Sequence, residues 1–571
     1  MSIHLLEPIA LFLLLLAVTK PLGTYMFCVF SGERTALTKV LGPLERLIYK
    51  LCRVHAREEM HWSRYSLSLL LFSVVGTLVL YAVVRLQYVL PGNPMGVRAL
   101  APDLSFNTAV SFVTGTSWQA YAGESTMSYV TDMAGIAVQD FLSAAAGLAV
   151  AIAIVRGMAL SKVESLGNFW VDLVRSTLYI LVPLSIVGSV IFIAGGVIQN
   201  FSPSITASTV EGARQILPMG PVASEEIIKL LSASDGGAFF NASSAHPFEN
   251  PSAFVNFLQI IALLLIPAAL TYTFGCMVKD RRQGWVLFGV MSVLLFAGGL
   301  GMYAAEAHGN PSIAHRSIGA NATQPNMEGK EVRFGIVSST LYETTSTATS
   351  DGSTNASIDS MTPLGGMVAL VNMMLGEIIF GGVGSGLYGM LLFVVLTVFL
   401  AGLMIGRTPE YLGKKIQARE VKLALLAMLP TTFCALGCSA WASVSPAALK
   451  GLGNSGTHGL TELLYAFTST ASNNGSAMAS LNANTHFWNI TTGLAMLAGR
   501  FTTMIAMLAM AGGLAQKTAA EPTPFVFPTN TFLFGALLVA VIFIVGGLTY
   551  FPSLALGPIL EHLQMVAGKV F

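Results

Sequence analysis

Ten stretches of the chain are each apolar enough, over about 20 residues, to cross the hydrocarbon core of a bilayer. They fall at 5–27, 66–90, 130–155, 170–198, 253–277, 284–304, 386–406, 421–443, 487–514 and 529–551. In lipid every backbone polar group must be satisfied within the segment, so runs of this length predict helices. Charged residues are only 10% of the 571, against 54% hydrophobic, too few to cover a water-exposed surface. The expected class is an all-α polytopic membrane protein, a single transmembrane domain over 1–571. A net charge of +1 with no basic arm gives no footing for nucleic acid. The first apolar run carries Glu7 and no preceding Lys or Arg, unlike a signal peptide. The five cysteines show no disulfide or zinc spacing; Cys434 and Cys438, one helical turn apart, read as packing.

Four short polar segments recur between the spans: Thr114-Gly115-Thr116-Ser117, Ser234-Asp235-Gly236-Gly237, Ser350-Asp351-Gly352-Ser353 and Asn473-Asn474-Gly475-Ser476. Their glycines 115, 236, 352 and 475 stand 121, 116 and 123 residues apart, a period that marks one unit used four times. Each follows a stretch able to form a half-helix: Asp103 to Phe112, Ala223 to Leu231, Val332 to Thr345 and Leu460 to Phe467. The unit is therefore membrane helix, pore loop, membrane helix. Repeats are expected at about 1–155, 156–277, 278–406 and 407–515, with 516–571 forming a final helix and tail. Four such loops on one axis can line a filter whose carbonyls replace a cation's water shell. The negative end of each half-helix dipole favours a cation there. A further apolar region, 364–385, is interrupted by Gly365, Gly366, Gly376, Gly381, Gly382 and Gly384, and predicts a broken helix running into the seventh span.

Eighteen Lys and Arg crowd the short connections 1–2, 3–4, 5–6, 7–8 and 9–10, whereas only seven lie in the longer loops that carry the Gly segments. The positive-inside rule puts the Gly segments, and with ten spans both termini, outside.

Longer strings surround these segments. Trp118-Gln119-Ala120-Tyr121-Ala122-Gly123-Glu124, Gly236 to Asn241 with Ala245 to Pro251, Gly376-Glu377 with Phe380 to Gly389, Met404 to Lys415, Asn473 to Ala477 and Gly499-Arg500-Phe501 resemble the channel-like A subunits of bacterial Kdp potassium-importing P-type ATPases. The resemblance covers essentially the whole chain. It implies a fold of four fused membrane–pore–membrane units within the superfamily of potassium transporters. It also implies potassium as the transported ion, Gln119 beside the filter, and delivery through an intramembrane tunnel to the ATP-hydrolysing B subunit of the P-type ATPase. The C subunit, the small F subunit, membrane lipid and the bacterial inner membrane complete the implied setting. The family tends to neutral side chains where this chain has Asp235 and Asp351, which either strengthen cation attraction or point behind the filter. It tends also to a non-glycine residue where this chain has Gly115, whose glycine is expected to bring the filter closer to four-fold regularity.

Charges at membrane depth are functional candidates. Glu377 and Arg500 are expected to pair across a gate that includes Gly381 and Gly382. Asp132, Asp140, Asp172 and Arg175, near span ends, read as snorkelling or capping groups, and His246 with Glu249 as a poor metal pair in a Pro-flanked loop. No Gly-x4-Gly-Lys-Ser/Thr phosphate loop and no Asp-Lys-Thr-Gly phosphorylation sequence occurs, so no bound nucleotide and no catalysis is expected of this chain. Two readings follow: the potassium-selecting subunit of an ATP-driven pump, or a self-sufficient potassium channel or ion-coupled transporter.

Overall fold

The computed structural model describes residues 6–232, 237, 239–311, 325–406, 408–519 and 527–569. Among them ten helices are long and apolar enough to span: Leu6–Ser31, Trp62–Leu86, Thr131–Ala159, Phe169–Ala194, Ala253–Met277, Arg281–Ala307, Ser385–Ile405, Ala418–Ser443, His486–Gln516 and Phe532–Val566. Between spans 2 and 3, 4 and 5, 6 and 7, and 8 and 9 lie the pore helices Pro102–Val113, Val222–Ser232, Gly335–Ala348 and Gly456–Ser472. Four helix–pore helix–helix units are thus flanked by a first and a tenth span.

Burial sorts the spans by their place in the unit. The spans that follow a pore helix (3, 5, 7 and 9) are 61–83% buried over their apolar windows, those that precede one only 22–44%. The inner four therefore pack around the pore helices, and the others carry the outward-facing surface. Small residues permit this: Thr131–Ala159 carries Ala144, Ala145, Ala146, Gly147, Ala149, Ala151 and Ala153 on its buried surface. At Gly499 of the ninth span a Cβ would stand 1.9 Å from the carbonyl oxygen of Ala471, so only glycine lets that span touch the fourth pore helix.

The interrupted region resolves as expected into a short helix, Pro363–Met374, a break, and the span Ser385–Ile405. Glu377, Phe380, Gly376, Gly381 and Gly384 within the break all have positive φ.

Three features differ from the sequence reading. The tenth helix continues past Pro552 through a wide turn, Ala555–Ile559, to Val566, because Gly557 leaves helical geometry and absorbs the kink. The basic connection between spans 1 and 2 contains a helix, Thr38–Leu51, whose signal was the apolar spacing Leu37, Leu41, Leu44, Ile48 and Leu51. Asp172 does not snorkel: it is buried, takes a two-pronged contact from Arg156 at 2.6 and 2.8 Å, and accepts from Tyr65 Oη at 3.1 Å. Arg175 pairs with Glu45 at 3.2 Å, and Asp132 and Asp140 are buried too. Asp172 and Arg175 keep their charges with these partners, which a span end supplies as readily as its middle.

Candidate cation filter and inner cavity

The first, third and fourth candidate filter segments begin where a pore helix runs out, and one hydrogen bond fixes the register of each. Thr116 N donates to Ser111 O (2.9 Å), Asp351 N to Ser346 O (3.3 Å) and Asn474 N to Ser469 O (2.8 Å), each reaching five residues back to a serine carbonyl. Left-handed backbone flanks that bond identically: Gly115 (φ 63), Ser350 (φ 63) and Asn473 (φ 65) before it, Ser117 (φ 49), Gly352 (φ 74) and Gly475 (φ 98) after it. The glycine alignment of the first loop is therefore shifted by two residues. Gly115 matches Ser350 and Asn473, and the position of Gly352 and Gly475 is held by Ser117, so Gly115 does not make the loops more alike. Ser234, Asp235 and Gly236 of the second loop lie outside the described residues.

The loops converge. A Cβ on Gly237 would stand 2.9 Å from Ser117 O, joining second loop to first, and one on Gly352 would stand 2.1 Å from Asn474 O, joining third to fourth. Asn473 Nδ2 donates to Thr116 Oγ1 (2.9 Å), joining fourth to first, and Asn474 Nδ2 to Ser346 O (3.2 Å). Asp351 Oδ1 accepts from Ser353 N (3.0 Å) as Asn474 Oδ1 accepts from Ser476 N (3.2 Å), so the carboxylate does an amide's work behind the loop. Lys229, paired with Glu226 at 2.7 Å, lies within electrostatic reach of Asp351.

Two tyrosines brace the third and fourth loops, and the sequence reading missed both. Tyr342 Oη meets Ser353 Oγ at 3.0 Å and Tyr465 Oη meets Ser476 Oγ at 2.7 Å. Their signal was present: each stands 11 residues before its serine. Outside the filter a cavity of about 540 Å³ is lined by Gln119, Thr354, Gly352, Gly475, Ser476 and Asn482 among others. Gln119 donates to Tyr121 Oη (3.3 Å) at its wall. The His246 ring stacks on Phe240 at 3.7 Å, and Glu249 accepts from Phe240 N (2.8 Å).

Beneath the filter lies a smaller cavity of about 90 Å³, bordered by Asn473, Glu377, Arg500, Ser385, Tyr388 and Thr432. Glu377 and Arg500 share it, but among the described residues they form no ion pair within 4.0 Å. The expected direct pair is corrected accordingly. The Arg500 guanidinium is turned toward Gly147, with Nη2 3.3 Å from where a Cβ there would stand, while the Glu377 side chain meets Asn474 of the filter. Among the described residues Glu377 Oε1 is buried without a hydrogen-bond partner. Gly381 and Gly384 close the break by backbone contact: a Cβ on the first would lie 2.1 Å from Gly386 Cα, on the second 2.2 Å from Gly147 O.

Ten spans, four inward pore helices and converging left-handed loops define a multi-pass membrane protein with the fold of channel-like potassium transporters. The potassium transporter TrkH from Vibrio parahaemolyticus superposes with a TM-score of 0.53 at 15% identity, covering 88% of this chain and 98% of that one. Residues 9–563 match the family described as potassium-transporting ATPase A subunit, and the chain belongs to that family. It is 54% identical over 564 residues to the "potassium-transporting ATPase potassium-binding subunit" of Allorhizobium ampelinum, covering 99% of each chain. It is 53% identical over 560 residues to the protein of the same description in Granulibacter bethesdensis, covering 98% of each.

Proposed function

We propose that this chain is the potassium-selecting, non-hydrolysing subunit of an ATP-driven potassium uptake complex. The observation that carries the reading is the matched backbone of the loops: the same bond to a serine carbonyl and the same pair of left-handed residues in three of them, all meeting at one place. Left-handed residues alternating along a strand present successive carbonyls to one side, the arrangement that substitutes for a monovalent ion's hydration. The filter comprises the segments at 114–117, 234–237, 350–353 and 473–476. Potassium enters from the outer cavity and passes to the inner one, where Glu377 offers an unpartnered carboxylate oxygen. Gly381 and Gly382 let the broken helix bend around that cavity as a gate, with Arg500 on its wall. The ion then leaves sideways to the ATP-hydrolysing B subunit, in a complex completed by the C and F subunits. The excess of Lys and Arg on the face opposite the filter supports a bacterial inner-membrane setting with both termini outside.

Binding calorimetry on the purified chain tests the filter. Potassium should bind with clear preference over sodium, and Gly352→Ser should abolish the preference. Equal binding of both ions by the unaltered chain would refute the reading.

A further inference from the structure

A groove lies on the face opposite the filter loops, where the ends of three spans meet. It has a volume of about 460 Å³ and is lined by Trp62 at the start of the second span, Arg419, Lys422 and Leu423 at the start of the eighth, and Ala509 of the ninth. A glycine pair in the ninth span shapes it. A Cβ on Gly512 would stand 2.4 Å from Trp62 Cδ1, and one on Gly513 would stand 3.7 Å from Arg419 Cζ. The indole and the guanidinium thus rest on adjacent glycines and flank the opening.

Among the described residues this charge has no close carboxylate partner. Glu420, the neighbouring carboxylate, bonds Lys517 (2.8 Å) and the backbone N–H of Gln417 (2.9 Å) through Oε2, while its Oε1 stands over Gly513 as the Arg419 guanidinium does. Among the described residues neither Arg419 nor Lys422 forms an ion pair within 4.0 Å. Below Lys422 the same helix face continues with Leu426 and Leu429, 49% and 59% exposed, four and seven residues on. The groove is therefore basic at its mouth, carries a tryptophan at headgroup depth, and opens onto bare leucine running into the membrane. A soluble anion would use only the first of these features and an acidic peptide would leave the leucines bare. A lipid uses all three.

We infer that this groove binds one anionic phospholipid of the surrounding bilayer, its phosphodiester between Arg419 and Lys422, its glycerol edge on Trp62, and an acyl chain along Leu426 and Leu429. The site belongs to the span ends and does not depend on what the filter conducts.

Native mass spectrometry of the full chain in mild detergent, titrated with phosphatidylglycerol or phosphatidylcholine, tests this. Two cations near a headgroup correspond to a preference of about thirty-fold for the anionic lipid. Arg419→Gln/Lys422→Gln should bring the preference to near unity, and Arg419→Lys/Lys422→Arg should restore it. Lys422→Gln alone, at an exposed position, should lose about five-fold and serves if the double variant misfolds. An unchanged preference in both Gln variants would overturn the assignment. So would displacement of the lipid by millimolar inorganic phosphate, which would make the groove a free-anion site. Variants that keep the lipid preference of the unaltered chain but fail to assemble with the ATPase subunit would identify a protein contact and overturn it as well.

Discussion

Ser117 holds a left-handed backbone that the matching positions of the third and fourth loops give to glycine. A Cβ there costs roughly 1–2 kcal/mol. Ser117→Gly should relieve part of that cost and raise stability by about 0.5–1 kcal/mol in denaturant unfolding, offset by the freedom glycine gains when unfolded. A drop in stability would mean that the serine side chain holds the loop. Gly352 is the opposite case, since any Cβ collides with Asn474 O, and Gly352→Ser should cost at least about tenfold in potassium affinity. Asp351→Asn should change little, because the amide oxygen can accept the Ser353 N–H as Asn474 accepts that of Ser476. A collapse of potassium binding in this variant would show that the charge itself is used. The glycine period made the first, third and fourth loops legible in the sequence, while Ser234, Asp235 and Gly236 of the second lie outside the described residues. It misaligned the first because composition identifies glycine as the left-handed residue, whereas Ser117, Ser350 and Asn473 adopt that conformation when the surrounding loop enforces it.

The pore helices were legible as elements, since each is a short apolar run ending in a polar segment, and the broken helix was legible from its glycines. What holds the elements together was not. His458, at the outer start of the fourth pore helix, bonds Asp359 (3.0 Å) and Glu561 of the C-terminal helix (2.7 Å), residues about a hundred positions away on either side. No local pattern announces such a clamp. Burial alone would lower the His458 pKa, but the bonds to Asp359 and Glu561 and their charges push it up to about 10. Burial likewise opposes the charge on Asp359, yet bonds from His458, Ser480 and Asn454 hold its pKa below the usual range. The histidine's contribution is thus complete below about pH 6.5 and fades as pH rises toward 10. That of Asp359 is present above about pH 4 and fades as pH falls further. His458→Gln should cost about 2–3 kcal/mol at pH 6 and progressively less toward pH 10, read from unfolding curves across pH. A pH-independent difference would remove the clamp. Glu377 was legible as a charge at depth, but its expected partner was not right, because a shared cavity wall does not bring two side chains into contact. Glu377→Gln should slow potassium passage while leaving equilibrium binding at the filter intact. Lost binding with unchanged loop structure would place Glu377 in the filter.

At the scale of the molecule, ten spans and their order follow from hydropathy, but the division into four inner and six outer helices does not, because lipid and protein interior are equally apolar. Small residues carry that information, and they are read only once a partner surface exists. The inner cavity is bordered by the seventh, eighth, ninth and tenth spans, with Tyr388, Thr432, Thr503 and Thr549 on its wall. On the function proposed above, potassium leaves the chain sideways along that wall. The purified chain should accordingly hydrolyse no ATP, and potassium-stimulated hydrolysis should appear only when the ATPase subunit is added. Free potassium flux through the chain alone in liposomes would favour the self-sufficient channel instead. The central claim is that one potassium site lies where the four loops meet. Thallium substituted for potassium in crystals of the chain gives an anomalous difference map that locates it directly. The account predicts the strongest peak among the backbone carbonyls at Ser117, Gly352 and Gly475, and a map with no peak there would contradict it.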